Sequence, residues 1–123
     1  MIIMMSEQRV KQMAKRLRRV LCGLGVELKH FACLELAARL CGFDDWRHFL
    51  GRDLDLPLGL LDEQLSDKDF AARDAFQISV LETAGLGSVA RELLDRANPS
   101  GSWAKKAWED GQTEAVGGND PLF

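Results

Sequence analysis

Tyrosine is missing from this sequence altogether, so its aromatics are six phenylalanines and three tryptophans. Cysteine is scarce: three residues, none in a Cys-x2-Cys pair, which excludes a disulfide framework and points to free thiols in a reducing, cytoplasmic setting. Long apolar runs are also lacking. The opening MIIMM is hydrophobic but far too short for a signal sequence or a membrane span. There is no phosphate-cradling glycine loop, no dinucleotide fingerprint, no internal repeat and no recognisable catalytic constellation. The expectation is a protein that is not an enzyme, needs no cofactor and is not associated with a membrane.

What is present suits a single soluble domain. A chain of 123 residues, 46% hydrophobic and 28% charged, can bury a core of its own. The charge is unevenly distributed. Residues 1–52 carry ten Lys and Arg against five Asp and Glu, whereas residues 53–123 carry six against fourteen, together the net −3. Such asymmetry implies one basic and one acidic face, with different partners for each.

The stretch from Leu28 to Leu50 organises the rest. Leu34, Ala37, Ala38 and Cys41 recur at helical spacing, and Glu35 precedes Arg39 by four, the favourable order for a helical ion pair. Gly42 follows, where a helix end needs a residue free to adopt positive φ. Asp44 or Asp45 then caps a second helix that buries Trp46, Phe49 and Leu50. The result is a helix-turn-helix.

These residues follow the pattern L-x-H-x-x-[AC]-L-E-L-x-A-R-x-x-G-F-x-D-W, met here by Leu28, His30, Cys33, Leu34, Glu35, Leu36, Ala38, Arg39, Gly42, Phe43, Asp45 and Trp46. Lys29, Phe31 and Ala32 stand where the pattern usually has small or polar residues. The pattern resembles the short helical segment at the N-terminus of some bacterial glyoxalase-superfamily proteins, and of small proteobacterial and plasmid proteins. The resemblance implies a fold and no enzymatic activity, the metal-binding glyoxalase domain lying outside this sequence.

Elsewhere, residues 6–22 predict an amphipathic helix with Val10, Met13, Ala14, Leu17, Val20, Leu21 and Leu24 on its inner side, started by Ser6 and ended by Gly23 and Gly25. Lys11, Lys15, Arg18 and Arg19 occupy the other side. From Arg52 to Leu61 leucines alternate with aspartates before Pro57 and Gly59, which predicts an ordered connector whose leucines plug the core. Ser66 and Asp69 form a capping box for a helix to about Ala84, apolar on two sides (Ala71, Ala75, Ile78 and Leu81 against Phe76 and Val80) and therefore expected at the centre of the fold. A last helix covers Ser88–Ala97 and buries Val89, Leu93 and Leu94; Asn98-Pro99-Ser100-Gly101 stops it. Residues 102–123 form a tail with a short helical turn at most and little periodicity after Asp110. The fold class is thus all-α: a bundle of four to five helices over residues 1–101, a central helix-turn-helix and a flexible tail.

For function, His30, Cys33, Cys41 and His48 fail as a metal site because their spacing offers no paired ligands, and both cysteines fit an apolar helix side. Neither histidine accompanies a cysteine in a nucleophile motif. Asp44 and Asp45 would repel phosphates from the second helix of the central motif, which argues against its reading DNA. The expected binding residues are Lys11, Lys15, Arg18, Arg19 and Lys29 on the basic side, and Trp103, Lys105, Lys106 and Trp108 in the tail, where tryptophan can anchor a partner. The leading expectation is a regulatory or inhibitory protein of plasmid or phage type that contacts another protein. By analogy with anti-CRISPR proteins, its acidic half would imitate nucleic acid before a nucleic-acid-binding complex. The alternative is a nucleic-acid-binding module using the first helix. A homodimer through Phe76 and Val80 is a further expectation.

Overall fold

Ser6 accepts a hydrogen bond from the Arg9 N–H at 3.1 Å and so starts the first helix. In the computed structural model, which describes residues 1–102, that helix is α1, Glu7–Gly23. Val10, Met13, Ala14, Leu17 and Leu21 are buried along one side, as the spacing predicts. Four more α-helices follow among the described residues: α2 (His30–Leu40), α3 (Trp46–Leu50), α4 (Asp67–Thr83) and α5 (Ala90–Ala97), with single 3-10 turns at Asp62–Gln64 and Gly87–Val89. No strand occurs among the described residues, so the bundle is all-α.

The centre of the bundle is α2. It packs against α1, α3 and α4, and it buries Cys33, Leu34, Leu36, Ala37, Ala38 and Leu40. Its end is built as the glycine predicts. Gly42 adopts φ +95°, its N–H donates to Arg39 C=O at 2.9 Å, and the Phe43 N–H donates to Ala38 C=O at 3.1 Å. Asp45, rather than Asp44, caps α3 by accepting the His48 N–H at 2.7 Å. Phe43 and Phe49 then meet edge to face at 5.2 Å, with Trp46 stacked on Phe49 at 5.3 Å.

The opening MIIMM belongs to this core. Ile3, Met4 and Met5 are buried; the Ile3 N–H donates to Cys41 C=O at 2.8 Å, and the Gly59 N–H donates to Met4 C=O at 2.7 Å. The extended N-terminal segment is therefore held between the α2 end and the connector. A Cβ on Gly42 would lie 1.8 Å from the Met1 carbonyl oxygen, so glycine is needed there for space as well as for φ.

Three expectations are corrected. Helix α4 is not central: its buried residues are Arg73, Gln77 and Leu81, while Ala71 and Ala75 face water. Leu81 is buried as expected, and the two polar inward positions, Arg73 and Gln77, have partners described below. Leu50 is exposed, since α3 is five residues long and presents Phe49 inward. The connector leucines do not plug the core either: Leu54, Leu56, Leu58 and Leu60 are 75%, 51%, 66% and 52% exposed. The inward space they were expected to fill is taken by Ile3, Met4 and Met5, beside which Gly59 runs.

Polar side chains join the second half of the chain to the first. Asp62 accepts from Arg73 Nη1 at 2.9 Å and from the Ser100 hydroxyl at 2.8 Å, and Arg73 also donates to Leu60 C=O. Gln77 Nε2 donates to Ser100 Oγ at 3.0 Å and to Leu40 C=O at 3.3 Å, satisfying a carbonyl at the end of α2. From α1, Arg16 Nε donates to Ala97 C=O at 2.6 Å and Arg9 donates to Gly101 C=O. Two cations of the basic half thus hold the last residue of α5 and the segment that follows it.

Candidate interaction surface

Lys11, Lys15, Arg18 and Arg19 fall within about 100° of one another on α1, at 100° per residue, and all four are exposed. Lys11 pairs with Glu7 at 3.0 Å, a solvated contact worth little. Lys29 is exposed just before α2, and its side chain makes no capping bond. It sits on the same groove as Phe31, Ala32, Glu35 and Leu36, walled on the far side by Ala84 and Leu86. Through Arg39 this groove adjoins a second hollow lined by Phe43, Phe76, Ser79, Val80 and Thr83. Phe76 and Val80, expected at a dimer contact, are half-buried there. Trp103, Lys105, Lys106 and Trp108 lie outside the described residues.

The four side chains weighed as metal ligands are not brought together. His30 and His48 are exposed, Cys33 and Cys41 buried, and the described residues contain no cluster of three His, Cys, Asp or Glu suited to a metal. Burial pushes the Cys41 thiol up to about 12, opposed by Arg73 and Arg9. Burial also raises Cys33, opposed by Arg18. Both therefore stay protonated and unreactive near neutral pH. His48 Nδ1 accepts the Asp44 N–H at 2.9 Å, which fixes the ring beside Phe43.

The connector, whose leucines the sequence predicts in the core, lies outside instead. Between Asp53 and Glu63 there is no Lys or Arg. Asp53 accepts the Asp55 N–H at 2.9 Å through its side chain and the Leu56 N–H at 3.3 Å through its carbonyl, folding a turn that turns Leu54 and Leu56 outward. Leu58 and Leu60 flank Gly59, whose backbone faces Met4. Arg52 points inward: its guanidinium carbon lies 4.0 Å from the centre of the Phe49 ring, and Nη1 donates to Phe49 C=O. The outward strip is consequently leucine and aspartate. Its signal in the sequence was the alternation itself, placed around a proline and a glycine that rule out both a helix and a long strand.

Residues 3–57 match the family model described as glyoxalase superfamily protein. The matched segment runs from the buried N-terminal residues through α1, α2 and α3 into the leucine strip, and contains the L-x-H pattern that carries the resemblance. Helices α4 and α5 lie beyond it. None of the curated proteins and none of the solved structures matches the chain. No helix among the described residues is long and apolar enough to cross a membrane.

Proposed function

We propose that this protein is a regulatory or inhibitory binding module that acts by contact with another protein and performs no chemistry of its own. The observation that carries this reading is the strip Leu54–Leu60. Four leucines within seven residues stand at least half in water, on a chain that buries comparable side chains such as Leu17 and Leu40 completely. Large apolar side chains left exposed this close together along a chain suit an interaction site. Mobile-element inhibitors that block a nucleic-acid-binding enzyme are the class this suits best, because the strip combines apolar contact with acidic charge. The test is affinity capture from a proteobacterial lysate with the full chain and with Leu54→Ser/Leu56→Ser/Leu58→Ser. A protein retained by the first and lost by the second is expected; identical capture by both would remove the reading.

The second reading is a nucleic-acid-binding module, favoured by the exposed Lys11, Lys15, Arg18 and Arg19 face. Phosphate contacts would make binding to duplex DNA fall steeply with salt, with a log-log slope of roughly −0.9 per neutralised phosphate. Absence of binding at low salt would exclude it.

A further inference from the structure

We infer that the leucine strip receives a cationic amphipathic helix, its apolar side chains resting on Leu54, Leu56, Leu58 and Leu60 and its Lys or Arg residues meeting Asp53 and Asp55. The inference rests on the protein-binding reading above and adds the chemistry of the partner. Charge decides the sign. Of the acids along the connector, Asp62 is held by Arg73 and Ser100, and Glu63 takes the Ser102 N–H on both oxygens. Asp53 and Asp55 are exposed and enter no ion pair among the described residues. The adjacent cation Arg52 is turned onto Phe49 and leaves them uncompensated. The exposed Arg47, on α3, is the next basic residue back along the chain. A phosphate surface, whether nucleic acid or an anionic bilayer, would be repelled by the same two carboxylates.

The backbone decides the form. Adding a strand requires a row of open N–H groups. Here the Asp55 and Leu56 N–H groups are taken by Asp53, the Gly59 N–H by Met4 and the Leu61 N–H by Gln64, while Pro57 has none. The N–H groups left over, those of Leu54, Leu58 and Leu60, are interrupted by the Asp53 turn and by Pro57 and make too short an edge for a strand, so the strip offers chiefly side chains, which suits a helix face laid across it. The six steps from Leu54 to Leu60 span at most roughly 20 Å, so two to four helical turns fill it.

The probes are two labelled synthetic helices with the same leucine positions, one bearing lysines and the other glutamates on the polar side. Their binding to the full chain is read by fluorescence anisotropy at low and high salt. The lysine helix is expected to bind, and the glutamate helix about tenfold more weakly or not at all. Leu56→Ser/Leu58→Ser is expected to weaken the lysine helix about tenfold or more. Asp53→Asn/Asp55→Asn should weaken it several-fold and flatten its salt dependence. Thermal melts accompany both variants and are expected to match the wild type, since the four substituted side chains are exposed. Equal binding of the two helices, or indifference to Asp53→Asn/Asp55→Asn, overturns the cationic partner; if Leu56→Ser/Leu58→Ser still abolishes binding, the protein-binding reading survives. Should the leucine variant bind both helices as the wild type does, both readings fall. Leucine-dependent binding to phosphatidylglycerol vesicles would overturn the inference in favour of a membrane.

Discussion

The two halves of this molecule bury themselves by different means. From Ile3 to Leu50, the interior is almost wholly apolar: Ile3, Met13, Leu17, Leu21, Leu40 and Phe49 are essentially inaccessible to water. From Leu60 onward, α5 still buries Ala90, Leu93, Leu94 and Ala97, but two of the three buried residues of α4 are polar, Arg73 and Gln77 beside Leu81, and Ser100 is fully buried with them. Apolar packing tolerates small shifts of one helix on another. Hydrogen bonds from Arg73 and Gln77 do not, and they hold α4 in register with the α2 end, the connector and the segment after α5. The segment matched by the glyoxalase superfamily model is thus the apolar half, to which the second half is attached by directional contacts.

The comparison is broken most severely at Phe49. It is fully buried and contacted by Phe43, Trp46 and Arg52, so Phe49→Ala is expected to cost about 3–5 kcal/mol, read from denaturant melts. A loss under about 1 kcal/mol would mean that the α3 turn does not seal the core.

The polar half answers differently to substitution. The Arg73–Asp62 pair is 8% and 13% exposed, so Arg73→Met alone leaves an almost buried carboxylate unpaired and should cost roughly 2–4 kcal/mol. Converting both residues, Arg73→Met with Asp62→Leu, is expected to cost less than Arg73→Met alone, because no buried charge is stranded. Additive losses would show instead that the bonds to Leu60 and Ser100 matter more than the ion pair.

How much of this could be read from residue order follows the same division. Contacts between near neighbours were legible: Ser6 on Arg9, Ser66 on Asp69, and the Gly42 turn each depend on residues three or four apart. The inward side of α4 was not, because Arg73 and Gln77 are justified by Asp62, Ser100 and the Leu40 carbonyl, 11, 23 and 37 residues away. Of the expected stripe Ala71, Ala75, Ile78 and Leu81, the C-terminal pair does pack inward, Leu81 fully and Ile78 in part, while Ala71 and Ala75 are exposed where the helix turns Arg73 and Gln77 to those distant partners. Two cations of the basic half, Arg9 and Arg16, reach Gly101 and Ala97 across the bundle, contacts 92 and 81 residues apart that no local pattern announces, whereas Lys11, Lys15, Arg18 and Arg19 are exposed as expected. The hydrophobicity of MIIMM shows only that it is too short for a membrane span or signal, and does not say that Ile3, Met4 and Met5 fill the place expected for the connector leucines.

A weaker effect separates the halves by pH. Two hydrogen bonds from Arg91, at 2.8 and 2.9 Å, hold the Asp74 carboxyl below its ordinary value, joining α5 to α4. A depressed carboxyl contributes stability above its unfolded pKa and loses it as pH falls through the folded one. Stability should therefore decline below about pH 4, and part of that decline should vanish in Asp74→Asn. Because Arg91 is more than half exposed, the contribution is at most about 1 kcal/mol.

The smallest expected change is the one that distinguishes a core plug from a docking strip. Leu58 is two-thirds exposed, and its neighbour Gly59, not its side chain, makes the contact with Met4. Leu58→Ser should alter stability by no more than about 0.5 kcal/mol, whereas a leucine buried like Leu40 would lose several times that. If Leu58→Ser melts as the wild type does yet no longer takes up a hydrophobic dye at the surface, the leucine serves something outside the fold. If it destabilises by 2 kcal/mol or more, roughly the cost of a core leucine, the connector is interior after all and the strip has no partner to explain.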